Sequence, residues 1–163
     1  IIHVESQPGI GSSFSIYLPV VEQELSTTNQ TENIIDDPRG GEETIMVVDD
    51  DEDIRMLTTD LLESFGYTVH SFKNGEEALV HFKRNPDQFD LIITDMTMPR
   101  MTGYELAKEV LGIRKKMPIL LCTGYSENIS KTRALEMGIR KYLQKPLQNK
   151  ELLFSVREVL DAS

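Results

Sequence analysis

From Thr44 onward, short apolar runs alternate with segments whose apolar residues recur at helical spacing. The runs cover residues 45–48, 67–70, 91–94, 119–122 and 139–143. The first, third and fourth are apolar at successive positions, which predicts strands buried on both faces of a parallel sheet. Ile54, Leu57, Leu61, Leu62 and Phe65 form one helical stripe, ended by Gly66. Ala78, Leu79 and Phe82 form a second, closed by Asn85-Pro86, and Leu106, Val110 and Leu111 a third. Ile129, Arg133 and Met137 make a weaker fourth; Leu152, Val156, Val159 and Leu160 make the last. Strict β-α alternation implies right-handed crossovers, hence one sheet with helices on both faces. The expected fold is α/β, a five-stranded, doubly wound parallel sheet.

Upstream the pattern changes. Two β-like runs, residues 1–5 and 13–18, flank the turn-forming Gln7-Pro8-Gly9-Ile10-Gly11-Ser12, which predicts a hairpin. Residues 21–43 are rich in Glu, Thr, Asn, Asp and Gly and read as a linker. The expected organisation is a hairpin extension over 1–20, a linker over 21–43 and the α/β domain over 44–163.

Composition narrows the function. Hydrophobic residues at 39% and charged residues at 27% suit a globular chain. Acidic residues outnumber basic ones 27 to 17, a charge of −10 that repels nucleic-acid phosphates and anionic membranes. The densest basic cluster, Arg114-Lys115-Lys116, sits at an expected helix end and reads as solvated surface complementing the helix dipole. The lone cysteine, Cys122, precludes an internal disulfide, lies in an apolar run, and fits the reducing cytoplasm. No apolar stretch approaches the ~20 residues that cross a bilayer, and the N-terminus lacks a signal-peptide layout. A cytoplasmic setting without direct membrane contact from this chain is therefore expected, even if a parent protein is membrane-anchored.

In doubly wound sheets ligands bind beyond the carboxyl ends of the strands. There this sequence places Asp49-Asp50-Asp51, Asp95, Thr123 and Lys145-Pro146. Taken singly, each has a plainer reading. Asp49 and Asp50 could cap a helix, as Asp51, Glu52 and Asp53 are expected to do; Asp95 could form a turn. Thr123 could be an ordinary strand-end hydroxyl and Lys145 a surface lysine. Together they are what a phosphoryl site needs. Clustered carboxylates become tolerable with Mg²⁺, which takes oxygen ligands, and a carboxylate can attack phosphorus to give an acyl phosphate. A lysine and a hydroxyl add donors to the phosphoryl oxygens.

These residues carry a family resemblance. Residues 43–161 resemble the receiver domain of two-component response regulators. The matching motifs are Val47-Val48-Asp49-Asp50-Asp51, Asp95-Met96-Thr97-Met98-Pro99-Arg100-Met101-Thr102-Gly103, Thr123-Gly124 and Tyr142-Leu143-Gln144-Lys145-Pro146. The resemblance implies a flavodoxin-like receiver fold, Asp95 as the phosphorylated residue, and Mg²⁺ held by Asp50, by Asp49 through water, by Asp95 and by the Thr97 carbonyl. It further implies that Thr123 hydrogen-bonds the phosphoryl group, that Lys145 pairs with it, that Tyr142 is an aromatic switch, and that Lys145-Pro146 is cis. Thr97 and Tyr125 occupy positions that vary in the family. Neither suits a hydrolytic water, so a long-lived acyl phosphate is expected.

The N-terminal segment from Glu5 to Phe14, with Ile16-Tyr17-Leu18-Pro19, resembles the last hairpin of a histidine-kinase ATP-binding domain. Together the two resemblances suggest the C-terminal end of a hybrid sensor histidine kinase, with a histidine kinase core as phosphodonor and a histidine phosphotransfer domain as partner. The remaining ATP-site motifs are missing, no nucleotide cofactor is expected, and His3, His70 and His81 read as non-catalytic. Three alternatives compete. An aspartate-nucleophile phosphatase wants an acid where Thr97 stands. A flavin or dinucleotide binder wants a Gly-rich loop after the first strand. A non-phosphorylated docking domain would leave the acidic pocket vestigial.

Overall fold

The computed structural model describes residues 2–17, 38–124 and 138–162. The chain divides between residues 35 and 36 into two compact units. The first holds an antiparallel hairpin of β1 (Ile2–Gln7) and β2 (Gly11–Ile16), in which Val4 faces Phe14 and Ile2 faces Ile16. The second, the body, contains β3 (Thr44–Val48), α1 (Glu52–Ser64), β4 (Thr68–Phe72) and α2 (Gly75–Arg84). It continues with β5 (Leu91–Asp95), α3 (Gly103–Ile113), β6 (Ile119–Thr123), β7 (Lys141–Gln144) and α4 (Asn149–Asp161).

The five body strands are parallel in the order β4-β3-β5-β6-β7. The central β3, β5 and β6 are buried almost throughout, while the edge strands β4 and β7 are partly open. This is the distribution the non-alternating runs predict. One apolar layer joins Ala78, Phe82, Leu106 and Val110 to one face of the sheet; another joins Leu62, Leu152, Val156 and Val159 to the other. Asp51 caps α1 by accepting from the Asp53 and Ile54 amides, and Gly66 follows that helix at φ 92°. Thr102 and Glu105 close a capping box at the start of α3.

Two details depart from the sequence reading. Leu57, assigned to the inward stripe of α1, is 68% exposed and lines an apolar groove with Ile54, Leu61, Pro146 and Leu147. Arg114, read as solvated surface, turns its guanidinium back onto the Phe89 and Pro86 carbonyls at 2.5 and 3.3 Å. A charged donor finds main-chain acceptors there that no local pattern reveals. The stripe of Ile129, Arg133 and Met137, Tyr125, and residues 18–37 lie outside the described residues. Among the described residues no helix is long and apolar enough to cross a membrane.

Candidate functional site

The carboxyl ends of β3, β5 and β7 bring three charged side chains into contact. Asp49 follows β3 and is 6% exposed; Asp95 ends β5 and is 7% exposed. Lys145 follows β7, and its Nζ lies 2.9 Å from Asp49 Oδ2 and 2.5 Å from Asp95 Oδ1. One ammonium thus bridges two buried carboxylates that lie 96 and 50 positions before it in the chain.

The backbone fixes both acids. Asp49 Oδ1 accepts the Asp51 amide at 3.0 Å, and Asp95 Oδ2 accepts the Thr97 amide at 2.9 Å. The Asp49 amide donates to the Phe72 carbonyl at 3.2 Å and its own carbonyl accepts from Arg55 Nη1 at 2.8 Å. The Met96 amide donates to the Cys122 carbonyl and the Gly103 amide to the Met96 carbonyl, at 2.8 and 3.0 Å. Nothing in the sequence marks Arg55, and it marks Gly103 only as the end of a motif. Gly103 closes the motif that begins at Asp95, and a Cβ there would lie 2.1 Å from the Asp95 carbonyl oxygen.

Burial and pairing pull on these groups in opposite senses. At Asp49 the loss of water dominates and raises the pKa, with Lys145 opposing. At Lys145 burial would lower it, but the hydrogen bonds to Asp95 and Asp49 outweigh burial and hold the ammonium above the usual lysine value. The lysine is therefore firmly charged, and it is the partner both acids need. Behind the site, burial pushes the Cys122 thiol up to about 12, consistent with an inert core residue.

The other expected site residues stand just beyond β3 and β5, at the end of β6 and within β7. Asp50 is exposed next to Asp49, and the Thr97 side chain is exposed while its amide faces Asp95. Thr123 is half-buried at the end of β6, and its carbonyl accepts the Lys145 amide at 2.8 Å. Tyr142 lies half-buried in β7, opposite Leu121, against the apolar layer containing Leu106. The Lys145-Pro146 peptide is cis.

Among the described residues no three His, Cys, Asp or Glu side chains form a closed metal cage. The donor set nevertheless fits Mg²⁺, which takes one or two carboxylates and keeps several waters. Asp49 and Asp95 supply hard oxygens and together carry one more negative charge than Lys145 offsets.

Comparison with known proteins points to one family. Residues 45–157 match the family model of the response regulator receiver domain. Sensor kinase CckA of Brucella abortus is 28% identical over 98% of this chain, which spans 18% of that protein. Sensor protein EvgS of Escherichia coli is 32% identical over 90% of this chain, corresponding to 12% of its own length. A probable transcriptional regulator, ycf27, of Porphyridium aerugineum is 38% identical over 72% of this chain, which spans 48% of that protein. A crystal structure of a response regulator receiver domain protein from Clostridium thermocellum superposes with TM-score 0.70 at 28% identity, covering 74% of this chain and 95% of that one.

Proposed function

The chain belongs to the response regulator receiver domain family of two-component signalling, and from that premise we propose that Asp95 accepts a phosphoryl group from a phosphohistidine in a Mg²⁺-dependent reaction. The observation that carries this reading is the Lys145 ammonium bridging Asp49 and Asp95 at the carboxyl end of the sheet. A carboxylate oxygen of Asp95 forms the new O–P bond as the histidine N–P bond breaks, and the imidazole leaves with the electron pair. Lys145, already charged, transfers its contact from the acids to the arriving phosphoryl oxygens. The Thr97 amide orients the attacking carboxylate. Asp49, Asp50, Asp95 and the Thr97 carbonyl would hold Mg²⁺, which offsets charge on the transferring oxygens. Thr123 then donates its hydroxyl to the phosphoryl group, and Tyr142 responds as the switch.

In this reading a histidine kinase core supplies the phosphoryl group and a histidine phosphotransfer domain receives it. The apolar groove of Ile54, Leu57, Leu61, Pro146 and Leu147 reaches Lys145, which supports a docking surface beside the acceptor. Likeness to two sensor kinases over 98% and 90% of the chain supports a hybrid-kinase origin. In that origin residues 1–20 are the last hairpin of an ATP-binding domain, 21–43 a linker and 44–163 the receiver. The lone buried thiol supports a cytoplasmic setting.

The chemistry makes a specific prediction. Incubation with phosphoramidate, whose N–P bond mimics phosphohistidine, should add one phosphoryl group only when Mg²⁺ is present, and hydroxylamine should remove it. A hydroxylamine-stable adduct would indicate a hydroxyl ester and exclude an aspartyl acceptor. No adduct on folded protein would favour the docking-domain alternative.

A further inference from the structure

The chain enters β3 through a segment held against the body by more than the sheet. Pro38 is buried, and the Arg39 carbonyl accepts the Tyr67 hydroxyl at 3.3 Å. The Gly41 amide donates to the Phe65 carbonyl at 3.1 Å, and the Glu43 carbonyl accepts the Thr68 amide at 3.0 Å. Gly40 and Gly41 run backbone against backbone along the turn between α1 and β4. A Cβ on Gly40 would lie 2.0 Å from the Phe65 carbonyl oxygen, and one on Gly66 would lie 2.9 Å from that of Gly41. At the end of this segment Glu43 Oε1 accepts from Arg157 Nη2 at 2.7 Å, and Arg157 Nε donates to Asp161 at 2.8 Å. The Arg157 hydrogen bond, opposed by burial, holds the Glu43 carboxyl below its ordinary value.

We infer that residues 38–43 form a strap, clasped to α4 by Glu43 and Arg157, that sets where the chain leaves the body on its N-terminal side. Closed, the exit is at Pro38; open, it moves to Thr44, adding six residues or about 20 Å of extended chain. The physical reason is an asymmetry at Glu43. Its Oε2 is buried with no hydrogen-bond partner among the described residues, so Arg157 is the main compensation for the carboxylate. Without Arg157 the charge stays partly desolvated, and such a group is costly to leave unpaired. It regains water as the strap moves, because Oε2 lies over Gly41: a Cβ there would be 1.9 Å from it and 2.8 Å from Arg157 Nη1.

The test is tryptic nicking at the Arg39–Gly40 bond in the whole chain, with cleavage after Arg84 and Arg140 reporting opening of the body. Arg157→Met should raise the rate at Arg39–Gly40 about tenfold or more and leave the body sites unchanged. Gly41→Ala, which keeps both charged groups, should do the same. Glu43→Leu combined with Arg157→Met should nick more slowly than Arg157→Met alone, since the stranded charge is gone. Wild-type nicking at Arg39–Gly40 in both single variants would overturn the clasp. Equal acceleration at all sites would overturn it too, reducing the pair to general stability.

Discussion

Replacing Lys145 by methionine is expected to cost this protein about 2–4 kcal/mol of stability at neutral pH and to slow phosphoryl uptake at least 100-fold. The two carboxylate oxygens that share its ammonium lie 2.9 and 2.5 Å from it, and both acids are over nine-tenths buried. Without the lysine they are at most ~5 Å apart, where like charges repel by about 3 kcal/mol or more at an effective dielectric constant near 20. Methionine preserves the aliphatic stem, so the loss reports charge rather than packing. Adding Asp49→Asn should return most of the stability, because one carboxylate no longer confronts another, but not the rate of phosphoryl uptake. Mg²⁺ should stabilise the Lys145→Met protein more than the wild type, having more uncompensated charge to meet. Urea denaturation with and without Mg²⁺ measures each of these. An Lys145→Met protein as stable as wild type without Mg²⁺ would mean that the bridge is energetically idle.

Gly103→Ala is the second large effect, with an expected cost of about 3 kcal/mol. The added methyl would stand 2.1 Å from the Asp95 carbonyl oxygen and 2.9 Å from Leu121 Cδ1. A leucine methyl can rotate away, but the carbonyl cannot move without carrying Asp95 with it. Leu121→Ala should therefore fail to rescue the variant, and phosphoryl uptake should fall further than the lost stability explains. Gly112 in the same helix provides the contrast. Nothing lies within 4 Å of a Cβ there, so Gly112→Ala should stabilise by about 0.5–1 kcal/mol through helix propensity alone. Opposite signs within one helix separate a steric role from a conformational one.

These contrasts also mark what could be read from the sequence. The central strands were legible because apolar residues at successive positions tolerate only two-sided burial, and β3, β5 and β6 are buried accordingly. Asp49, Asp95 and Lys145 were legible as strand-end residues that one sheet must gather on one edge. Their mutual bridge was not, since it depends on side-chain distances between segments far apart in sequence. Leu57 fits the helical period of α1 yet stays open, because periodicity gives the face of a helix and not the width its neighbours cover. The Glu43–Arg157 pair, 114 residues apart, and the Arg114 contacts to Pro86 and Phe89 carry no local signal. Gly103 ends a motif in the sequence, but its reason is a close approach to the Asp95 carbonyl across the fold, which no local pattern carries.

The most direct test of the account is intact mass after incubation with acetyl phosphate and Mg²⁺, for wild type and Asp95→Asn side by side. The wild type should gain one phosphoryl group, the variant none, and chelation of Mg²⁺ should abolish the gain. An adduct that persists on the folded Asp95→Asn protein would contradict Asp95 as the acceptor.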